Sequence, residues 1–231
     1  MLSVVARRWK LVLAVALLVG SVAAFSYAEH LKLTRSPVGV PRFDRWVNPG
    51  CDCPQEEVTL DFLLRKAQRI DADVVDSDGE GIRVLATGER HPAGRVVYEW
   101  DGRDDDGAAV ADGPYRVRVR LLDDRRTIVI PTEVNVDTKP PRRVSSVRVP
   151  ATATVGQEVV IRFRTFEFGV PLLLVDGEVV LRGPAGKPRR RRIAWTPAAP
   201  GAYRIDLVME DRAGNVSEPA GGATVVVGDD R

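Results

Sequence analysis

The sequence predicts an all-β protein: two β-sandwiches in tandem behind one apolar N-terminal segment that reads as a transmembrane helix. Three observations carry that expectation. One pattern occurs twice: a Trp, a turn-rich loop, Gly-x-Tyr and a strictly alternating strand. Its first copy runs from Trp100 through Asp112-Gly113-Pro114-Tyr115 into RVRVRLL, and its second from Trp195 through Pro200-Gly201-Ala202-Tyr203 into RIDLVME. Next, 231 residues leave room beyond the apolar segment for two domains of roughly 90 to 100 residues, a size at which a sandwich buries an adequate core. Last, the chain past the apolar segment lacks a helical period and shows repeated apolar/polar alternation bounded by Gly, Pro, Asn and Asp.

Residues 11–28, LVLAVALLVGSVAAFSYA, are apolar or small and carry no charge. As a helix they rise about 27 Å against a hydrocarbon core of about 30 Å. Arg7, Arg8 and Lys10 precede them, and Trp9 and Tyr27 stand at the two ends, where aromatic rings favour the membrane interface. The expectation is a cytoplasmic N-terminus over 1–10, an uncleaved signal-anchor over 11–28, and everything after it outside the cytoplasm. A cleaved secretory signal, with small residues at Val22 and Ala24 or at Ser26 and Ala28, is the alternative.

Residues 29–50 read as a stalk, because Pro37, Pro41 and Pro49 with Gly39 and Gly50 break any period, and Phe43 and Trp46 are placed to dock on the first domain. The first domain is expected over 51–137. Val58, Leu60, Phe62 and Leu64 alternate with polar neighbours in its first strand, and Ile70, Ala72 and Val74 do so in its second. Asp76-Ser77-Asp78-Gly79 forms a turn into IRVLA, followed by RVVYEW, an acidic loop, YRVRVRLL and TIVIPTEVNV. Residues 138–143 form a proline-rich linker expected to be stiff and to keep the domains apart. The second domain is expected over 144–229, with strands at SVRV, EVVIRFRTF, PLLLVD, EVVLRG, RRIAW, YRIDLVME and ATVVVG. Asp176-Gly177 marks a hairpin between two of them.

Tyr115 and Tyr203 each sit where an immunoglobulin-like or fibronectin-III-like sandwich carries its tyrosine corner, with the hydroxyl bonded back to nearby backbone. The run VVYEWDGRDDDGAAVADGPYRVRVRL resembles the signature of the FlgD-type immunoglobulin-like domain family, first described in flagellar hook-capping proteins. Trp100, Asp101, Gly102, Asp104, Gly107, Val110, Asp112, Gly113 and Tyr115 match it, and the resemblance covers residues 47–136. The second domain, through EDRAGNVS with Trp195, Gly201 and Tyr203, resembles generic bacterial Ig-like repeats. The resemblance implies a fold and an exported location. It does not imply a hook cap, which needs an assembly region ahead of its sandwich and no membrane-spanning segment.

Composition is globular, with 44% hydrophobic and 29% charged residues, and the net charge of +2 argues against nucleic acid as a partner. The two histidines, His30 and His91, have no nucleophile or metal ligand at a recognisable spacing, so no catalytic residue, cofactor or metal site is expected. Asp101, Asp104, Asp105, Asp106 and Asp112 lack the spacing of a calcium loop and read as turn formers. Cys51 and Cys53 favour a local disulfide. A bridge to another chain, free thiols and a metal remain open alternatives. Arg189, Arg190, Arg191 and Arg192 form the one dense basic cluster, read either as a solvated hairpin end or as a contact for anionic wall polymers or lipid headgroups. Arg116, Arg118 and Arg120 read as a wet sheet face. The expectation is therefore a non-catalytic, membrane-anchored, extracytoplasmic binding or spacing module of a bacterial surface. Its alternatives are a wall-binding or adhesion component, or an accessory subunit of an envelope enzyme.

Overall fold

In a computed structural model that describes residues 15–26 and 36–229, each tyrosine-corner motif belongs to its own eight-stranded sandwich. The first sandwich comprises β1 (Val38–Phe43), β2 (Trp46–Val47), β3 (Val58–Leu64), β4 (Gln68–Val75), β5 (Gly81–His91), β6 (Gly94–Trp100), β7 (Gly113–Leu121) and β8 (Arg126–Val136). The second comprises β9 (Ser145–Arg148), β10 (Thr152–Thr154), β11 (Val159–Arg164), β12 (Val170–Val175), β13 (Glu178–Arg182), β14 (Arg190–Trp195), β15 (Gly201–Glu210) and β16 (Ala220–Gly228).

The two share one topology. A three-stranded sheet, β1-β3-β6, faces a five-stranded sheet, β2-β8-β7-β4-β5, and the second sandwich repeats this as β9-β11-β14 facing β10-β16-β15-β12-β13. In both, the chain opens in the small sheet and then crosses to the large one. There β2 runs parallel to β8 and β10 parallel to β16, which covers the edge of the last strand. Even the register repeats: Val58 lies opposite Trp100, and Val159 opposite Trp195.

Period-two patterning places the core. Val58, Leu60, Phe62 and Leu64 point inward from β3 and meet Tyr115, Val117, Val119 and Leu121 from β7. In the second sandwich Val159, Ile161 and Phe163 from β11 share a core with Ile205, Leu207 and Met209 from β15. Each fully buried side chain of this size contributes about 1.5–3 kcal/mol. The β12–β13 hairpin turns on Asp176 (φ 52°) and Gly177 (φ 89°), the two positive dihedrals that a primed two-residue turn requires.

One boundary differs from the expectation. Residues 38–47, assigned to a stalk, are the first two strands of the sandwich, and Phe43 packs against its core. Pro41 and Gly39 hide the alternation, yet β1 is an edge strand whose register slips between Gly39 and Arg42, where a missing N–H is tolerated. The helix expected over 11–28 is described only over 15–26, a rise of about 18 Å. No helix among the described residues is long and apolar enough to cross a membrane. Residues 1–14 and 27–35 lie outside the described residues, and with them the expected cytoplasmic end, both limits of the anchor and His30.

Candidate functional site

The signature residues hold loops in place. The Tyr115 hydroxyl donates to the Ala111 carbonyl at 2.8 Å and that of Tyr203 to the Ala199 carbonyl at 3.0 Å. Trp100 and Trp195 meet these rings edge-on at 5.3 and 5.1 Å. Trp100 Nε1 donates to the Arg103 carbonyl at 2.8 Å, and Asp101 accepts from the Arg103 N–H at 3.1 Å. Gly102 (φ +71°) brings the backbone against the Pro49 ring, which an added Cβ would meet at 3.1 Å. Gly113 and Gly201 open β7 and β15. Asp112 accepts from the backbone N–H and hydroxyl of Thr138 at 3.0 and 2.9 Å and from Lys139 Nζ at 3.0 Å, tying the linker to the first sandwich. Partial burial would raise its pKa, but these donors outweigh it and hold the carboxyl below its usual value.

Asp104 and Asp105 of the acidic loop spend their carboxylates on backbone N–H groups. Asp104 accepts from the N–H groups of Asp106 and Ala108 at 3.1 and 2.8 Å, and Asp105 accepts from that of Val84 at 2.9 Å. Among the described residues, no group of three or more His, Cys, Asp or Glu could hold a metal ion. His91 is less isolated than its sequence context suggests: Nε2 lies 3.0 Å from the Tyr98 hydroxyl and 3.2 Å from Glu89, and Tyr98 donates to Glu89 at 3.1 Å. Burial and the nearby Glu89 push the Tyr98 phenol upward, so it stays protonated and cannot serve as a base at neutral pH.

A junction joins the sandwiches where the linker sequence suggested separation. Cys51 and Cys53 are disulfide-bonded, with Cα atoms 5.2 Å apart, inside a loop closed by Asn48 N–H donating to the Gln55 carbonyl at 2.8 Å. Against this loop lies the 211–215 turn of the second sandwich. Asn48 Nδ2 donates to Asn215 Oδ1 at 2.8 Å, and Asn215 Nδ2 donates to the Asp137 carbonyl at 2.9 Å and to Asp211 at 3.0 Å. The two asparagines are 7% and 8% exposed, so this amide pair is a desolvated, satisfied contact between domains. Gly214 (φ +80°) lies against the disulfide: an added Cβ would stand 2.6 Å from Cys53 Sγ and 2.8 Å from Gln55 Oε1. Arg212 stacks over Phe168 at 4.1 Å and reaches Trp46 at 5.7 Å. Sequence reasoning used Asp211-Arg212-Ala213-Gly214-Asn215 within the EDRAGNVS resemblance and did not find this role.

The two arginine rows have opposite surroundings. On β7, Arg116 meets Glu133 at 2.8 Å, Arg118 pairs with Asp73, and Arg120 reaches Asp71 at 3.8 Å. Hydrogen bonding to Asp73 raises the Arg118 pKa. The Arg189–Arg192 run does not act as one cluster. Arg190 and Arg192 point outward from β14, whereas Arg191 is buried and donates to the carbonyls of Gly169 (3.1 Å) and Pro184. Arg189 stays exposed, its backbone N–H donating to the Thr165 hydroxyl at 3.2 Å.

Residues 54–124 match the family model described as the FlgD Ig-like domain. The first sandwich is a FlgD-type Ig-like domain. The chain is 35% identical over 57 residues to the basal-body rod modification protein FlgD of Salmonella typhimurium, a stretch covering 25% of this chain and 24% of that protein. It thus spans about a quarter of the length of the curated relatives it matches. Among solved structures, the fibronectin(III)-like modules of Clostridium thermocellum CbhA align over 82% of this chain and 95% of theirs, with 16% identity and a TM-score of 0.44. The human OSCAR ligand-binding domain aligns over 83% of this chain and all of its own, with 14% identity and a TM-score of 0.39.

Within the FlgD-type domain the match runs from the end of the disulfide loop to the β7–β8 turn, taking in the Trp100 loop and Tyr115. The disulfide, β1, β2, β8 and the whole second sandwich lie outside it, and so do both halves of the buried amide pair.

Proposed function

We propose that this chain is a non-catalytic, membrane-anchored spacing and binding module that holds two joined Ig-like sandwiches on the extracytoplasmic side of a bacterial envelope. The observation that carries this reading is the helix over residues 15–26. It is apolar on every side, every residue in it is exposed, and none packs against a sandwich core: Leu17, Leu18 and Phe25 are 65%, 68% and 67% exposed. A helix that is apolar all round needs an apolar surrounding, and the uncharged run 11–28 that contains it suits lipid. The buried Asn48–Asn215 junction adds a mechanical role, because it ties the two sandwiches to each other. The FlgD-type domain contributes this framework. A hook-cap role forms no part of the proposal.

The test is topology and retention in cells expressing the full chain. The chain stays in the membrane pellet after an alkaline carbonate wash, and protease added to intact spheroplasts removes both sandwiches. A soluble, protease-protected chain would overturn the anchored, outward-facing reading.

A further inference from the structure

The outward face of the second sandwich's small sheet is built of arginines abreast. Register sets Arg148 opposite Arg162 and Arg162 opposite Arg192, and Arg164 lies opposite Arg190 one step along. All five are exposed. Among the described residues none of them forms an ion pair. They border a groove of about 620 Å³ whose lining includes seven arginines and no acidic residue. One of the seven, Arg191, is buried and bonded to carbonyls, and among the described residues it has no carboxylate partner. Like charges directly opposite in a sheet are destabilising. The fold bears that cost three times on one face with no internal counter-charge.

We infer that this face, Arg148, Arg162, Arg164, Arg190 and Arg192, is a binding surface for a linear polyphosphodiester such as poly(glycerol phosphate). Guanidinium forks match phosphate oxygens in bidentate fashion, which makes arginine the suitable residue. The spacing agrees as well. Side chains on one face of a strand repeat about every 6.8 Å. A polymer with one charge per six backbone bonds repeats at most about every 7 Å, twice the reach of a three-bond peptide unit. The groove is concave, so it admits a chain and not the plane of a bilayer. The inference uses neither the N-terminal helix nor the chain's location, so failure of the retention and protease tests leaves it standing.

The test is fluorescence anisotropy of labelled poly(glycerol phosphate) titrated with the full chain in detergent. The wild type binds with a log-log salt slope of about −3.5, at ~0.7 per neutralised charge for a single-stranded polyanion. The R162Q/R192Q variant loses about 30-fold in affinity, at about fivefold per surface arginine, and its slope shrinks by about 1.4. Arg116→Gln, from the paired row, leaves binding unchanged. Circular dichroism and melting confirm that R162Q/R192Q is folded, with Tm equal to or above wild type, since the substitutions remove repulsion. Undiminished polymer binding by R162Q/R192Q would overturn the assignment. So would a larger loss on R162Q/R192Q substitution for detergent micelles containing phosphatidylglycerol, or for duplex DNA, than for the polymer at equal phosphate.

Discussion

The small sheets of the two sandwiches share strand order and register, yet their outward faces carry opposite electrostatic patterns. Counting from the Trp100 and Trp195 pairs, Asp61 of the first sandwich and Arg162 of the second hold the same position. Asp61 lies opposite Arg42 and pairs with Arg95, whereas Arg162 lies between Arg148 and Arg192. The inward positions are apolar in both, as two-layer packing demands. One architecture therefore tolerates either outward face, and the all-arginine face is not something the fold requires. The contrast extends to the large sheet of the first sandwich, where Arg116, Arg118 and Arg120 are matched by acidic residues on neighbouring strands.

The largest expected effect tests the shared core. Trp100 is 2% exposed and Trp195 only partly buried, so Trp100→Ala costs about 3–5 kcal/mol and Trp195→Ala distinctly less, measured by urea unfolding. Equal costs would mean that the two corners are packed alike. Next comes the junction. Gly214→Ala sets a left-handed backbone strain of about 1–2 kcal/mol on top of a clash with the disulfide loop, and it splits one calorimetric transition into two. Gly79→Ala (φ +86°), with nothing near its Cβ position, carries the backbone strain alone and leaves the transition single.

Acid separates two aspartates near the linker, both with an ordinary value near 3.8. Asp112 is depressed by its donors, so its stabilisation is present at neutral pH and is lost as pH falls through its lowered pKa. Asp211 is raised, chiefly by burial, so its stabilisation is complete below the ordinary value and is lost as pH rises through the raised one. Asp112→Asn therefore flattens the acid limb of the pH–stability curve, and Asp211→Asn flattens the opposing slope just above it. The smallest effects belong to the outward faces: Asp61→Asn lowers stability and Arg162→Gln raises it, each by a few tenths of a kcal/mol. Shifts of the same sign would contradict the electrostatic contrast.

Much of the fold was legible in the sequence. The Tyr corners, the Asp176-Gly177 hairpin and the alternating strands depend on local pattern, and local pattern is what a sequence displays. The strands β1 and β2 were not legible, because Pro41 and Gly39 read as breakers while an edge strand tolerates them. Nor was the junction, since Asn48 and Asn215 are 167 residues apart and only tertiary packing brings their amides together. For the basic face, the dense run Arg189–Arg192 drew attention, but strand alternation turns Arg191 inward. Arg148, Arg162 and Arg164, from distant segments, join the face only through sheet register.

Arg162→Asp tests the central contrast most directly, because it writes the first sandwich's Asp61 pattern onto the second. Seated between Arg148 and Arg192, the new carboxylate is predicted to raise Tm and at the same time to weaken poly(glycerol phosphate) binding about 30-fold in the anisotropy titration. Retained polymer affinity, or a lowered Tm, would contradict the account.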